Sequence, residues 1–385
     1  MSPRKYKIVF CTPAIYSAGG VERVVSCKAS YFAEHFGYDV TIIVTEGHDG
    51  ATFFPLSDKV KVINLGLNFE DLWNRPFWKK VMLYLRKQWQ YRRELTAVLT
   101  ALRPDIVIST LRREVNFINQ IHDGSLKIGE LHLSRSTYRW MDGGSNLVKH
   151  LFSRWWKGEI VSHLQRFSRF VVLTENAVAE WPELSNVTLI PDPLTIRVTG
   201  RSPVSAKRVV AIGRYSYEKG YDMLLRIWAL VEKRCPDWCL DVYGMGDPTS
   251  YVKLMTELGI DKSRCRLNAS LADVSSTYLS SSILVQPSRF EGFGLVVIEA
   301  MAFGLPIVAF DCENGPRTIL TDGQEGFLVP AFDEACFASR IVELAEDQSK
   351  RMRMGEVGTR ASGRYHIDQI ALQWQSLFDD LMKDR

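Results

Sequence analysis

The amino-acid sequence predicts an α/β protein made of two doubly wound, Rossmann-like domains that face each other across a cleft. Three observations lead to this prediction. The chain has 385 residues, which is too long for one ordinary α/β domain and suits two. Short apolar runs alternate with longer amphipathic stretches, the pattern of β-α-β units around a parallel sheet. The series of strands stops at a polar linker, Thr199–Lys207, and then begins again.

The first series of elements fills residues 1–195, the predicted first domain. Its run Ile106-Val107-Ile108 is apolar on both faces, as expected for a strand that helices cover on both sides. Strands are predicted at Lys7–Pro13, Asp39–Glu46, Val60–Leu65, Asp105–Thr110, Lys127–Leu133, Phe170–Thr174 and Val187–Pro191. Helices are predicted at Val21–Phe36, Phe77–Leu102 and Leu147–Phe167.

The second series fills residues 205–363, the predicted second domain. Strands are predicted at Arg208–Ile212, Cys239–Tyr243, Arg264–Asn268, Ile283–Gln286, Pro306–Phe310 and Gly326–Val329. Helices are predicted at Tyr221–Lys233, Tyr251–Leu258, Leu295–Phe303 and Glu334–Ala345. Residues 364–385 form a last segment, which is expected to cross back and pack on the first domain. The apolar residues at roughly helical spacing in this segment are Ile370, Leu372, Trp374, Leu377, Phe378 and Leu381.

Composition excludes some classes of protein. The apolar fraction of 46% and charged fraction of 24% are ordinary for a core-forming protein. The net charge is +4 without a tail of one sign, so nucleic acid is not a predicted partner. Seven scattered cysteines indicate reduced thiols in a cytoplasmic protein. The apolar run Ile8–Cys11 is too short for a signal peptide, and no run reaches the roughly 20 apolar residues of a spanning helix.

The strongest functional pattern lies between a predicted buried strand and the helix that follows it. Glu291-Gly292-Phe293-Gly294 opens this helix, and Glu299 follows eight positions after Glu291. The glycines allow a ligand to approach the backbone, and free N–H groups at Gly294 and Leu295 attract an anion. Two carboxylates at this spacing could hold hydroxyls at the two ends of one elongated ligand.

Fixed cations are predicted at the first strand-to-helix turn of the second domain. Gly213 and Arg214 follow the strand, and Lys219 lies just before the helix. Negative charge that develops on a diphosphate leaving group must be met by such cations where no metal does so. Both side chains are expected to be exposed.

Two glycine turns and one histidine are weaker candidates. Gly244 and Gly246 follow a strand and indicate a tight turn beside a bound base. Gly19 and Gly20 open the first helix, where they either face an anion or form a structural turn. His132 ends a predicted strand, so it either lines the cleft or has a structural role.

Together these motifs resemble those of the retaining glycosyltransferases of family 4, which have the GT-B fold. The resemblance is carried by the Glu291 and Glu299 pair, the Gly-Arg…Lys-Gly turn and the run Ser17-Ala18-Gly19-Gly20-Val21-Glu22-Arg23. The stretches Asp311–Ile319 and Asp322–Val329 are similar to the bacterial branch that builds capsule, exopolysaccharide and O-antigen repeat units. The resemblance covers nearly the whole chain, tightly in the second half and loosely over residues 47–125.

The family pattern differs from this chain at two positions. Asp192 stands where the family usually has Asn, and Thr318 stands where it usually has Glu. Neither position is central to the donor site that the resemblance implies. These differences therefore bear on fine specificity more than on activity.

The resemblance implies a role for each motif residue. Arg214 and Lys219 would bind the diphosphate of the sugar donor. Glu291 would hold sugar hydroxyls, Glu299 would hold the ribose, and His132 would lie beside the reacting sugar carbon. The residues expected to bind the donor are Gly19, Gly20, Gly213, Arg214, Lys219, Gly244, Gly246, Phe293, Gly294, Leu295 and Glu299.

The implied reaction moves a hexosyl or N-acetylhexosaminyl group from a nucleotide diphosphate sugar to an acceptor hydroxyl, with the anomeric configuration retained. A UDP-sugar is favoured over a GDP-sugar, and the acceptor would be a glycan or a polyprenyl-diphosphate-linked sugar. No cofactor or metal is expected, because side chains and helix ends supply the positive charge. The alternatives are a GT-B sugar-nucleotide epimerase and a catalytically idle binding subunit of a polysaccharide assembly complex.

Two basic and aromatic segments, residues 73–93 and 149–157, suggest contact with an anionic membrane. The first segment carries seven Lys or Arg residues and no acid. Aromatic rings favour the headgroup level of a bilayer, and basic side chains are attracted to its anionic surface. The other interpretation is a helix whose aromatic residues pack inward. The protein is expected in the cytoplasm, with peripheral binding to the inner face of the cell membrane as the open alternative.

Overall fold

A computed structural model of the chain describes residues 5–47, 50–72, 76–136, 138 and 159–383. The chain divides into two compact units. Unit 1 comprises Met1–Pro191 and Ile367–Arg385, and unit 2 comprises Asp192–His366. Each unit contains one parallel sheet with helices, which confirms the prediction of two Rossmann-like α/β domains.

The sheet of unit 1 has seven strands in the order β3-β2-β1-β4-β5-β6-β7, and every neighbouring pair is parallel. The strands are β1 (Lys7–Thr12), β2 (Asp39–Val44), β3 (Lys61–Asn64), β4 (Ile106–Ser109), β5 (Leu126–Glu130), β6 (Arg169–Val172) and β7 (Val187–Leu189). Strand β5 is shorter than predicted, because it ends at Glu130 and leaves Leu131–Leu133 outside the strand.

Helices cover both faces of this sheet. In β1, Ile8 and Phe10 belong to the core on one face, and Val9 and Cys11 belong to the core on the other. All four side chains are fully buried, which is why the strand is a continuous apolar run. The helices of unit 1 are α1 (Gly20–His35), α2 (Phe77–Leu102), α3 (described at residues 159–165), α4 (Glu175–Ala179) and the C-terminal α12 (Ile367–Lys383).

The C-terminal helix α12 packs on α1, as the sequence predicts. The ring of Phe378 lies edge-on to the rings of Phe32, at 5.7 Å between centroids, and of Tyr6, at 6.3 Å. Of the six apolar residues at helical spacing, Leu372 differs from the others because it is 52% exposed. Its position in the helix turns it away from the buried face.

The sheet of unit 2 has six parallel strands in the order β10-β9-β8-β11-β12-β13. The strands are β8 (Arg208–Ile212), β9 (Cys239–Gly244), β10 (Cys265–Ala269), β11 (Ile283–Gln286), β12 (Ile307–Phe310) and β13 (Gly326–Val329). The helices are α5 (Tyr221–Arg234), α6 (Thr249–Glu257), α7 (Ser275–Leu279), α8 (Leu295–Ala302), α9 (Pro316–Ile319), α10 (Glu334–Glu346) and α11 (Gln348–Ser362).

Helix α11 was not predicted from the sequence. It contains two glycines and few apolar residues, so it lacks a clear hydrophobic face. Its stability comes from close packing, since a Cβ on Gly355 would lie 2.0 Å from the carbonyl oxygen of Gly304. Within the described ranges, no helix is both long enough and apolar enough to span a bilayer.

The packing of α12 leads to a stability prediction. Phe378→Ala should lower the free energy of unfolding by about 3–5 kcal/mol, because it empties a fully buried aromatic site. The matched control Leu372→Ala lies on the exposed side of the same helix and should change it by about 0.5 kcal/mol or less. Urea unfolding measures both values. Equal values for the two variants would show that α12 does not stabilise unit 1.

Candidate functional site

The loops that follow β8 and β11 bring two of the predicted site residues together. The Lys219 Nζ atom donates a hydrogen bond to Glu291 Oε1 at 2.7 Å. The same oxygen accepts from Gln286 Nε2 at 2.7 Å and from Ser288 Oγ at 2.6 Å. None of these three bonds uses the second carboxylate oxygen, Oε2. The site therefore contains a fixed carboxylate whose second oxygen can serve a ligand hydroxyl.

Both members of this pair are largely removed from water. The Glu291 side chain is 8% exposed and the Lys219 side chain 19%. Burial by itself would raise the pKa of Glu291, but the Lys219 ammonium and the hydrogen bonds from Ser288 and Gln286 outweigh it and lower that pKa. The pair is thus an ion pair in which each charge compensates the other.

The two predicted cations differ in their surroundings. Arg214 is 56% exposed, as expected, and its guanidinium pairs with Glu218 at 2.8 Å. The expectation that Lys219 is exposed was wrong. Its ammonium is needed beside Glu291, since a buried carboxylate without a cation would be costly.

A second ion pair joins the start of α5 to the loop after β11. The Arg289 guanidinium makes two hydrogen bonds to the Asp222 carboxylate, at 2.8 and 2.7 Å. The backbone N–H of Arg289 also donates to the carbonyl oxygen of Glu218 at 2.8 Å. These contacts hold the turn before α5 against the loop after β11. Asp222 and Arg289 were not among the predicted site residues, because their ion pair spans 67 positions of the chain.

Glycines permit the close approach of the strand ends. A Cβ on Gly244 would lie 2.1 Å from the carbonyl oxygen of Gly213, so the end of β9 and the start of the loop after β8 can pack this closely only without a side chain there. Gly294 has a φ of +107°, a conformation that L side chains rarely adopt, and it immediately precedes α8. Helix α8 therefore begins four residues after Glu291 in the chain, at the end of the turn that contains Gly294.

Two further predicted residues around α8, Phe293 and Glu299, are buried. The Phe293 ring packs against Tyr365, with centroids 5.6 Å apart, so the ring is not available to a ligand. Glu299 is fully buried. Its carboxylate accepts hydrogen bonds from the Tyr278 hydroxyl at 2.9 Å and the Thr195 hydroxyl at 3.2 Å. Neither hydroxyl donor was predicted from the sequence, and the role of Glu299 toward ribose stays a prediction.

Three predicted residues belong to unit 1 and not to this group. Gly19 and Gly20 lie at the start of α1, where the Glu22 carboxylate folds back so closely that a Cβ on Gly19 would be 2.0 Å from it. His132 lies two residues beyond the end of β5, whereas the sequence placed it within the strand. Its Nε2 atom is 3.6 Å from Glu130 Oε1.

Comparisons with known proteins agree with this architecture. Residues 195–361 match the family described as "Glycosyl transferases group 1". An uncharacterized glycosyltransferase of Haemophilus influenzae is 29% identical over 377 residues, which cover 96% of this chain and 99% of the relative. The amylovoran biosynthesis glycosyltransferase AmsD of Erwinia amylovora is 25% identical over 385 residues, which cover 97% and 100%.

The fold also matches solved structures. A mutant of TarM from S. aureus, in complex with fondaparinux, α-GlcNAc-glycerol and UDP, has a TM-score of 0.77 and 15% identity. The match covers 97% of this chain and 99% of that chain, and it shows the GT-B fold. Residues 195–361 thus form a group 1 glycosyltransferase domain, and the chain is a glycosyltransferase.

The different settings of the two cations lead to a prediction. Arg214→Ala and Lys219→Ala should each lower turnover by roughly 10²–10³, the scale for one preorganised charge stabiliser. Lys219→Ala should also destabilise the fold by roughly 1–3 kcal/mol, because it leaves the buried Glu291 carboxylate without its cation. Arg214→Ala should leave the melting temperature unchanged. Turnover assays and thermal unfolding measure the two effects.

The control for these variants is Lys253→Ala, which removes a lysine that is 80% exposed on α6. This variant should change neither turnover nor melting temperature. Near-normal turnover in both Arg214→Ala and Lys219→Ala would exclude these two side chains from the reaction.

Proposed function

We propose that this glycosyltransferase transfers a sugar from a nucleotide diphosphate sugar to an acceptor hydroxyl, with retention of anomeric configuration, in the synthesis of a surface polysaccharide. The observation that carries the proposal is the Lys219–Glu291 ion pair at the glycine-lined strand ends of the group 1 domain. The name of the AmsD relative supports a role in exopolysaccharide synthesis. The UDP bound to TarM supports a UDP-sugar as donor, in preference to a GDP-sugar.

Each residue of the site has a part in donor binding under this proposal. Lys219 and Arg214 stabilise the diphosphate, and the backbone N–H groups that open α8 contact the sugar and phosphate. Glu291 accepts hydrogen bonds from sugar hydroxyls through Oε2, while its Oε1 stays bound to Lys219. Glu299 binds the ribose by exchanging one of its present hydroxyl partners for a ribose hydroxyl.

The reaction then needs no nucleophile from the enzyme. The bond between the sugar C1 and the diphosphate oxygen breaks, and the acceptor oxygen bonds to C1 on the same face. The acceptor proton passes to the leaving diphosphate, so the products are a glycoside and a nucleoside diphosphate. Because side chains stabilise the charge that develops on the leaving group, we propose that no metal or other cofactor takes part. A sugar-nucleotide epimerase and an idle binding subunit are not favoured.

The proposal is tested by a thermal-shift screen of UDP- and GDP-sugars, followed by turnover. A donor at 100 times its Kd should stabilise the protein by about 2.7 kcal/mol. The donor so identified should be consumed only when a glycan or lipid-linked acceptor is added, and EDTA should not affect the rate. Conversion of the donor alone would indicate an epimerase, and activity lost to EDTA and restored by Mg²⁺ or Mn²⁺ would contradict the metal-free mechanism.

Variants of the two glutamates show, in the same screen, which end of the donor each carboxylate contacts. Glu291→Gln should keep the stabilisation by the bare nucleoside diphosphate and lose the additional stabilisation by the sugar. Glu299→Gln should weaken the stabilisation by the bare nucleoside diphosphate and by the complete sugar donor, because its predicted contact is with the ribose. The opposite pattern would show that the two ends of the donor are reversed.

We further propose that the exposed start of α2 contacts an anionic membrane surface, where a polyprenyl-diphosphate-linked acceptor would be found on the cytoplasmic side. Trp78, Met82 and Trp89 are 78%, 73% and 63% exposed, so the interpretation in which these side chains pack inward was wrong for them. Lys79 and Lys80 are exposed beside them. Of the segments that suggested this contact, residues 73–75 and 149–157 lie outside the described residues.

One basic residue of α2 has a different role. The Lys87 ammonium donates to the backbone carbonyl oxygens of Leu67 and Asn68, and the side chain is only 21% exposed. Its charge therefore stabilises the loop before α2. We exclude Lys87 from the proposed membrane-binding set, which comprises Lys79, Lys80 and Arg86.

Charge reversal tests this surface. Lys79→Glu, Lys80→Glu and Arg86→Glu combined should abolish co-sedimentation with anionic vesicles at low salt, since each basic residue near the surface contributes about 1 kcal/mol. Wild-type protein should dissociate as salt screens the attraction, and donor affinity should be the same in both proteins. A triple reversal of the exposed Lys253, Lys262 and Arg353 in unit 2 is the matched control. Equal sedimentation of wild type and the α2 variant would remove this surface from the proposal.

A further inference from the structure

We propose that Glu130 and Lys28 are positioning residues for His132. In this proposal Lys28 keeps the Glu130 carboxylate ionised, and the carboxylate holds the His132 imidazole in one orientation and one tautomer for sugar transfer. The inference rests on the proposed function for its catalytic consequence. The arrangement of the three side chains belongs to unit 1 alone.

The three residues meet at the carboxyl end of β5. Glu130 is the last residue of the strand, and His132 lies two residues further along the chain. The His132 Nε2 atom lies 3.6 Å from Glu130 Oε1. The Lys28 ammonium, from the buried face of α1, donates a hydrogen bond to the same oxygen. One carboxylate oxygen therefore faces both the ammonium and the imidazole.

Water does not screen this group of charges. The side chains of Lys28 and Glu130 are each 1% exposed, and that of His132 is 6% exposed. The Lys28 ammonium also lies over the rings of Trp374, at 4.5 Å, and Phe10, at 5.9 Å. Aromatic faces stabilise a desolvated cation, so α12 contributes to the setting of Lys28 through Trp374.

The carboxylate is ionised because of its neighbours. Burial by itself would raise the pKa of Glu130, but the Lys28 ammonium and His132 outweigh it and lower that pKa to about 2. Without Lys28, burial would raise the pKa of this carboxyl group, and of these two neighbours only the imidazole would oppose that rise. Lys28 thus favours the ionised carboxylate beside the imidazole.

Stability alone does not account for the pair. Lys28 lies on a helix face whose other buried residues include Val24, Val25, Ala29 and Phe32. Replacing a buried ion pair by apolar residues of similar volume is often neutral or stabilising, because the two charges need no longer be desolvated. Apolar residues at positions 28 and 130 together could therefore serve the core as well as the ion pair does. The ion pair is therefore best explained by its effect on the adjacent imidazole.

An ionised carboxylate controls a neighbouring imidazole in two ways. It draws the proton to the ring nitrogen that faces it, and it fixes the direction of the ring. For His132 the nitrogen that faces Glu130 is Nε2. A neutral side chain of the same shape at position 130 would lose this control, and a reacting group displaced by about 1 Å can cost roughly 10²-fold in rate.

The test removes both charges together, because loss of one partner would leave the other buried and unpaired. The variant Lys28→Met with Glu130→Gln keeps side-chain volume and should fold. The matched control is Lys127→Met with Asp123→Asn, which removes another buried ion pair of β5, at the opposite end of the strand from His132. We expect the first variant to lower kcat by roughly 10–100-fold with an unchanged KM for the donor. The control variant should keep both constants.

Two readouts distinguish positioning from a general loss of structure. In ¹⁵N NMR of the imidazole, wild-type His132 should carry its proton on Nε2, and the Lys28→Met, Glu130→Gln variant should show a mixture of tautomers. In a His132→Ala background, the same double substitution should cause no further loss of kcat, because the residue through which it acts is absent.

The outcomes separate this inference from the proposed function. An unchanged imidazole spectrum, or an equal loss of kcat with and without His132, would overturn the inference while transfer activity in the wild type persists. Absence of transfer from every nucleotide sugar would instead overturn the proposed function. The NMR measurement needs no substrate, so it decides the link between Glu130 and His132 in either case.

Discussion

A parallel sheet buried on both faces is the constraint on which both units depend. Helices cover its strands on either side, so polar side chains within a strand have nowhere to meet water or a ligand. In β1, neighbouring residues alternate between two apolar cores and are all fully buried. Chemistry is thereby confined to the strand ends, which is the general location of ligands in open α/β sheets. The close contact of Gly213 and Gly244 shows how tightly these ends pack in unit 2.

Each unit has a carboxylate at a strand end that is largely removed from water, and in each unit a lysine ammonium pairs with it. In unit 2, Glu291 follows β11, and its cation Lys219 comes from the turn after β8. In unit 1, Glu130 ends β5, and its cation Lys28 comes from α1, the helix after β1. In both units the lysine follows the first strand of the sheet, and the carboxylate belongs to a later strand or its loop. Each ion pair thus connects segments that are distant in sequence, and its geometry depends on the whole sheet.

The sequence was least informative where a residue's environment is formed by distant segments. Lys219 and Arg214 looked equivalent in the motif, yet Lys219 is only 19% exposed and pairs with Glu291, whereas Arg214 is 56% exposed. Lys87 looked like one more basic residue of an amphipathic stretch, yet it binds the backbone of the preceding loop. Helix α11 has no clear apolar periodicity in its sequence. It is stabilised instead by glycine contacts and by the buried Arg351, which donates to the Val204 carbonyl oxygen at 2.9 Å. In each case the deciding partner is many residues away.

The sequence by itself determined the two α/β units, the approximate position of every strand, and the glycine and glutamate motif between Glu291 and Glu299. These features are local, because apolar periodicity and glycine turns are properties of short segments. Only the tertiary structure decided which charges pair, which of them are buried, and that Gln286, Ser288, Lys28 and Glu130 surround the candidate site residues. The physical reason is that desolvation and ion pairing depend on what surrounds a side chain in space, and the parallel sheet assembles that surrounding from segments far apart in the chain.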